Sequence, residues 1–115
     1  MKALIIDDTK DLHSYYRIIV GKKIKDIDCA SNELEVFQLL ALNKYDFILS
    51  DIHMSPMSGP SILRKYKESY KSKVVLISCA DNIEEIAESL KCDGINVVGC
   101  VGKPTMPKKL YELLK

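Results

Sequence analysis

Four short apolar runs in this chain end in polar residues that can do chemistry. Asp7 and Asp8 follow Ala3-Leu4-Ile5-Ile6, and Asp51 follows the run Tyr45-Asp46-Phe47-Ile48-Leu49. Ser78 follows Val74-Val75-Leu76-Ile77, and Lys103 lies beyond Val97-Val98. Together they supply three carboxylates, one hydroxyl and one ammonium. Crowded carboxylates repel one another, and a hard divalent cation relieves that repulsion. Mg2+ takes oxygen ligands octahedrally and keeps several waters, so two or three carboxylates and a carbonyl suit it. Zinc fits poorly, because no Cys or His joins the set with metal-site spacing. An ammonium beside such a site can neutralise phosphoryl oxygens. An aspartate can itself be the nucleophile, forming an acyl phosphate.

Each residue taken alone has a plainer reading. Asp7, Asp8 and Thr9 can cap a helix. Asp51 can open the turn before Met54-Ser55-Pro56. Ser78 can start a loop, and Lys103 can be a solvated charge. The joint placement is the argument: all five stand at the ends of the right strands if those strands are parallel. In a parallel sheet every carboxyl end lies on one edge, and ligands of open α/β sheets bind there, where strand order reverses.

The elements must therefore be a parallel sheet with crossover helices. The four apolar runs lack polar alternation, as strands covered on both faces do. A fifth, charged candidate, Ile24-Lys25-Asp26-Ile27-Asp28-Cys29, suits a sheet edge. Strands are predicted to begin near residues 3, 24, 45, 74 and 96. Between them, Leu12, Tyr15, Tyr16, Ile19 and Val20 mark a first helix that Gly21 can end. Leu34, Phe37, Leu40 and Ala41 mark a second, capped by Ser31 or Asn32. A third starts after Gly59 with Pro60 in its first turn and Ile62, Leu63 and Tyr66 on one face. A fourth opens with the capping-box spacing of Asp81 and Glu84, places Ile83, Ile86, Ala87 and Leu90 on one stripe, and stops before Gly94. A fifth covers about Pro107 to Lys115. Alternating strand and helix five times predicts an α/β, doubly wound, five-stranded parallel sheet with helices on both faces.

Composition agrees and excludes several classes. The 115 residues are 47% hydrophobic and 29% charged, a globular balance for one domain spanning 1–115. A net charge of +1 argues against direct nucleic-acid binding, which calls for a clustered basic face. No apolar stretch approaches a membrane span, and two carboxylates interrupt the N-terminal run too early for a signal peptide. Cys29, Cys79, Cys92 and Cys100 show no paired spacing, so free thiols in a cytoplasmic protein are expected. His13 reads as a lone exposed histidine.

At these spacings the chain resembles the receiver domains of two-component response regulators, over essentially its whole length. The resemblance is carried by Asp7-Asp8, by Asp51-Ile52-His53-Met54 with Gly59 eight residues past Asp51, by Ser78, and by Lys103-Pro104. It implies a flavodoxin-like sheet of order 2-1-3-4-5, an order the family is known for. It further implies that Asp51 accepts a phosphoryl group from a sensor histidine kinase or phosphotransfer protein. Asp7, Asp8 and Asp51 would hold Mg2+ together with the main-chain carbonyl of His53. Lys103 would pair with the phosphoryl oxygens, and Ser78 would turn toward them and relay their presence to a downstream protein partner. Such a chain catalyses its own phosphorylation and dephosphorylation and is not a turnover enzyme; a monomer or weak phosphorylation-dependent dimer is implied.

Three features depart from the family pattern. Ser55 stands where a proline is usual, with Pro56 one later. Cys100, three before Lys103, replaces an aromatic side chain that would change rotamer with the hydroxyl residue. The last helix is short. Cys100 keeps open a second reading, a receiver-like interaction module that works without phosphorylation. A third, an aspartyl-nucleophile Mg2+ phosphatase, calls for Asp-x-Asp at the first strand end and a cap segment, and Asp7-Asp8-Thr9 does not fit it.

Overall fold

The computed structural model describes residues 1–79, 81–103 and 107–114. Five parallel strands, β1 (Lys2–Ile6), β2 (Asp26–Ala30), β3 (Phe47–Asp51), β4 (Lys73–Ser78) and β5 (Val97–Gly102), form one sheet in the order β2-β1-β3-β4-β5. Five helices connect or follow them: α1 (Lys10–Val20), α2 (Glu33–Leu42), α3 (Gly59–Lys65), α4 (Ile83–Cys92) and α5 (Pro107–Leu113). This is the α/β arrangement that the alternating apolar runs predict. A 3-10 turn, Lys67–Ser69, is an addition the hydrophobic pattern did not announce.

The strands are apolar throughout because both faces are covered. Side chains alternate across the sheet, so Leu4, Ile6, Ile48 and Leu76 pack with Val36, Leu40, Ile62, Leu63, Ala87 and Leu90 beneath α2, α3 and α4. Ala3, Ile5, Leu49, Val75 and Ile77 pack on the other face with Tyr16, Ile19, Val20 and Leu110 from α1 and α5. The sheet turns its order between β1 and β3, and the carboxyl ends of those two strands carry Asp7 and Asp51.

Four expectations need correction in detail. The edge strand β2 begins at Asp26 and not Ile24, whose side chain is buried ahead of the strand. In α2 the core side is Val36 and Leu40, whereas Leu34 and Phe37 are 63% and 52% exposed and Ala41 is exposed too. Apolar residues stand on both sides of the helix, so two stripes satisfy the helical period and spacing alone cannot choose between them. In α4 the capping box does not form. Asn82 flanks the helix with φ −96° and ψ 23° and makes no side-chain cap, because that backbone is not the extended conformation a capping side chain works from. Tyr66 follows α3, with its phenol donating to Glu33. Other termini match: Asn32 accepts from the Glu35 amide, Pro60 lies in the first turn of α3, and Gly94 takes φ +88° beyond α4. Lys115 lies outside the described residues.

Candidate functional site

The crevice is built by strands delivering carboxylates to a common edge. β1 runs through Ile6, and the Asp7 amide donates to the Ala30 carbonyl at 3.0 Å, extending the β1–β2 ladder by one residue. Asp7 there is buried, 1% exposed. Its Oδ1 accepts from the Thr9 amide at 2.9 Å, leaving Oδ2 to face inward. Asp8, one residue on, is exposed at the mouth. Asp51 closes β3 and is 7% exposed; its Oδ1 accepts from the Ile52 amide at 2.8 Å. Each carboxylate of Asp7, Asp8 and Asp51 offers an oxygen, and these oxygens lie within 4.8 Å of one another.

Lys103 is the countercharge. Its Nζ lies 3.1 Å from Asp51 Oδ2 and 3.4 Å from Asp7 Oδ2. Burial would lower the pKa of this ammonium, but the hydrogen bond to Asp51 and the charges of Asp7 and Asp51 outweigh it and hold it above the ordinary lysine value. One ammonium facing three carboxylates leaves the crevice two negative charges in excess. That donor set, all hard oxygens with one side open at Asp8, fits a divalent cation such as Mg2+.

Gly59 explains why the loop returns so closely. Its amide donates to the Ile52 carbonyl at 3.1 Å, and a Cβ on it would lie 1.8 Å from the Asp51 carbonyl oxygen. Only a residue without a side chain lets α3 start against the end of β3, which is the physical content of the eight-residue spacing. The Ser55-Pro56 peptide in the intervening loop is cis.

The remaining candidates are placed less directly. Ser78 is 2% exposed, opposite Gly102 in the β4–β5 register and one step beyond Ile77, which pairs with Asp51. His53 lies two residues past Asp51 with its side chain exposed. Pro104 lies outside the described residues. Cys100 is half-buried on β5 with its Sγ 3.9 Å from the Ile83 carbonyl at the start of α4, and burial pushes its thiol pKa up. Sequence reasoning missed His13. It is half-buried, and its Nε2 lies 2.7 Å from the Asp7 carbonyl, tying α1 to the loop that carries the acidic pair. Helical side chains lean toward the N-terminus, so a His one turn into a helix behind an acidic pair is the signal that was available.

A cleft lies elsewhere, at the amino edge of the sheet. It has a volume of about 690 Å³ and is lined by Tyr45, Asp46, Tyr70, Lys71 and Lys73 among others. Among the described residues it holds no carboxylate cluster.

Comparison with known proteins agrees with the geometry. The family model described as the response regulator receiver domain matches residues 3–115. The response regulator protein PilR of Pseudomonas aeruginosa is 26% identical over 114 residues, covering 98% of this chain and 25% of that protein. A protein-glutamate methylesterase/protein-glutamine glutaminase of Hahella chejuensis is 26% identical over 108 residues, 93% of this chain and 31% of its own length. Among solved structures, a chemotaxis protein of Vibrio cholerae superposes with a TM-score of 0.82 at 22% identity, covering 98% of this chain and 94% of that one. The chain thus spans well under half the length of these two curated relatives.

Proposed function

This chain belongs to the response regulator receiver domain family, and from that premise we propose that Asp51 accepts a phosphoryl group in a two-component phosphorelay. The observation that carries the reading is the pairing of a buried aspartate with a half-buried lysine at the mouth of an acidic crevice, with Asp51 Oδ2 3.1 Å from Lys103 Nζ. An Oδ of Asp51 attacks the phosphorus of a phosphohistidine; the P–N bond breaks, and the leaving imidazole takes a proton. Ile52 holds Oδ1 through its amide, which orients the carboxylate. Lys103 already bridges Asp7 and Asp51, so it needs little movement to meet oxygens carried on Asp51.

Asp7, Asp8 and Asp51, with the main-chain carbonyl of His53 as a further ligand, would hold Mg2+, which when bound neutralises phosphoryl charge. The Ser78 hydroxyl, at the end of β4, would donate to the new phosphoryl oxygens and shift the segment leading into α4. The donor is a sensor histidine kinase or phosphotransfer protein, and the output is a change in affinity for a downstream protein in the cytoplasm. With no substrate but its own acyl phosphate, the chain is a switch and not a turnover enzyme. Cys100 favours a second reading, a phosphorylation-independent binding module, because a thiol there is far smaller than an aromatic ring.

The test is label transfer from a phosphohistidine-containing donor domain. An acyl phosphate on Asp51 predicts label that is lost in alkali and absent from Asp51→Asn. Alkali-stable label would place the group on His13 or His53 instead and overturn the assignment. A partner bound equally well with and without the label would support the second reading.

A further inference from the structure

The layer between the sheet and helices α1 and α5 is apolar except at one place. Among its buried described residues, Tyr16 alone carries a polar side-chain atom, and it is 2% exposed. Packing does not explain the phenol, because a phenylalanine ring fills the same space with no hydroxyl to satisfy. Its position does. Side chains alternate across a strand, and Ala3 and Ile5, Phe47 and Leu49, and Val101 face this layer. Continuing each alternation by two residues gives Asp7, Asp51 and Lys103, so the phosphoryl crevice caps the layer that holds Tyr16. Helix α1 starts at Lys10 beside the crevice and runs away from it. Its side chains lean back toward its N-terminus, and so toward the crevice. His13 shows this, with Nε2 2.7 Å from the Asp7 carbonyl. Tyr16 is one turn further along on the same side of the helix.

We propose that Tyr16 is a positioning residue for Lys103: its phenol oxygen holds the ammonium from the core side, between Asp7 and Asp51. The proposal rests on the reading of Asp51 as the phosphoryl acceptor and adds how the countercharge is kept in place. An ammonium has three donors. Asp51 Oδ2 at 3.1 Å and Asp7 Oδ2 at 3.4 Å take two of them. A phenol accepts as well as donates, so it can receive the third while giving its own proton elsewhere. The electrostatics agree. Burial lowers the pKa of Lys103, the hydrogen bond to Asp51 and the charges of Asp7 and Asp51 raise it, and Tyr16 is the remaining group that raises it. A lysine ammonium rides on a flexible four-carbon stem, so one that must meet phosphoryl oxygens gains from a fixed neighbour. A buried ring set edge-on to Tyr15, with 5.4 Å between centroids, is such a neighbour.

Two measurements on the full chain test the proposal. The first is thermal unfolding of a double-mutant cycle, which needs no phosphoryl chemistry. Tyr16→Phe should lower the melting temperature of wild type by a few degrees, and that of Lys103→Met by no more than about half as much. The second is the rate of phosphoryl uptake from acetyl phosphate with Mg2+, followed by intact mass. Tyr16→Phe should slow it roughly three- to tenfold. Ile19→Val trims the same layer one turn further from the crevice. It should lower the melting temperature without slowing uptake. Equal melting losses from Tyr16→Phe in the two backgrounds would overturn the contact. Uptake by Tyr16→Phe at the wild-type rate, or an equal slowing by Ile19→Val, would overturn the positioning role. A wild type that takes up no phosphoryl group while the cycle still shows coupling contradicts the reading of Asp51 and supports the contact.

Discussion

The two edges of the sheet carry similar charges in different surroundings. At the amino edge, Lys2 Nζ lies 3.7 Å from Asp26 and 3.6 Å from Asp28, and the Tyr45 phenol donates to Asp28 at 2.7 Å. At the carboxyl edge, Lys103 lies 3.4 Å from Asp7 and 3.1 Å from Asp51, with Asp8 close by. Both edges set one ammonium among two or more carboxylates. The difference is water: the side chains of Asp26 and Asp28 are 64% and 32% exposed, those of Asp7 and Asp51 only 2% and 8%. Solvent screens an excess carboxylate at the first edge. At the second the excess persists, and only another cation or a reaction at the carboxylate relieves it. The cleft of about 690 Å³ lies at the amino edge, whereas unbalanced buried charge lies at the carboxyl edge.

Substitutions that separate the edges follow in order of expected size. If Asp7 is a direct ligand as proposed, Asp7→Asn should weaken Mg2+ binding by about a hundredfold or more. Asp26→Asn, of equal chemistry at the other edge, should leave it unchanged; calorimetric titration of both reads the contrast. Gly59→Ala should cost about 2–3 kcal/mol in denaturant unfolding and lower phosphoryl uptake, because its Cβ meets the Asp51 carbonyl. Gly94→Ala has φ +88° but open space around it, and should cost about 1 kcal/mol with uptake intact.

Lys103→Ala should destabilise the metal-free protein by about 1–3 kcal/mol, as two buried carboxylates lose their donor. Lys2→Ala should stay within about 0.5 kcal/mol. The Lys103 contribution has a definite pH window. Its pKa in the folded protein lies above the unfolded lysine value of about 10.4, so the contribution is complete below that pH and is lost as pH rises through the folded value. The stability gap between wild type and Lys103→Ala should therefore be flat from neutral pH to about pH 10 and narrow above it. A gap that narrows toward acid near neutrality would contradict this.

The site was legible in the sequence because chemistry and topology coincide there. One polar residue at the end of one apolar run could be a cap or a turn; four such runs sharing an edge make a common site the simpler cause. Element boundaries were less legible, for local reasons. Ile24 has a strand-like side chain but is buried by packing before β2 starts. Asp81 and Glu84 have capping spacing, yet the chain enters α4 through a non-extended Asn82. Spacing along α2 could not say which stripe faces inward, because that choice is made by the sheet beneath it. Leu40→Ala should accordingly cost about 2–4 kcal/mol, and Leu34→Ala in the monomer less than about 0.5 kcal/mol. Equal costs would mean the stripes are misassigned. His13 was hard to read because its partner is a main-chain carbonyl, which has no residue signature, and only its place one turn into α1 behind the acidic pair pointed to it.

The most direct measurement is the intact mass of wild type and Asp51→Asn after incubation with a small acyl phosphate, with Mg2+ present or chelated. A single phosphoryl adduct on wild type that requires Mg2+ and vanishes in Asp51→Asn is the predicted result. No adduct on wild type, or an undiminished one on Asp51→Asn, would contradict it.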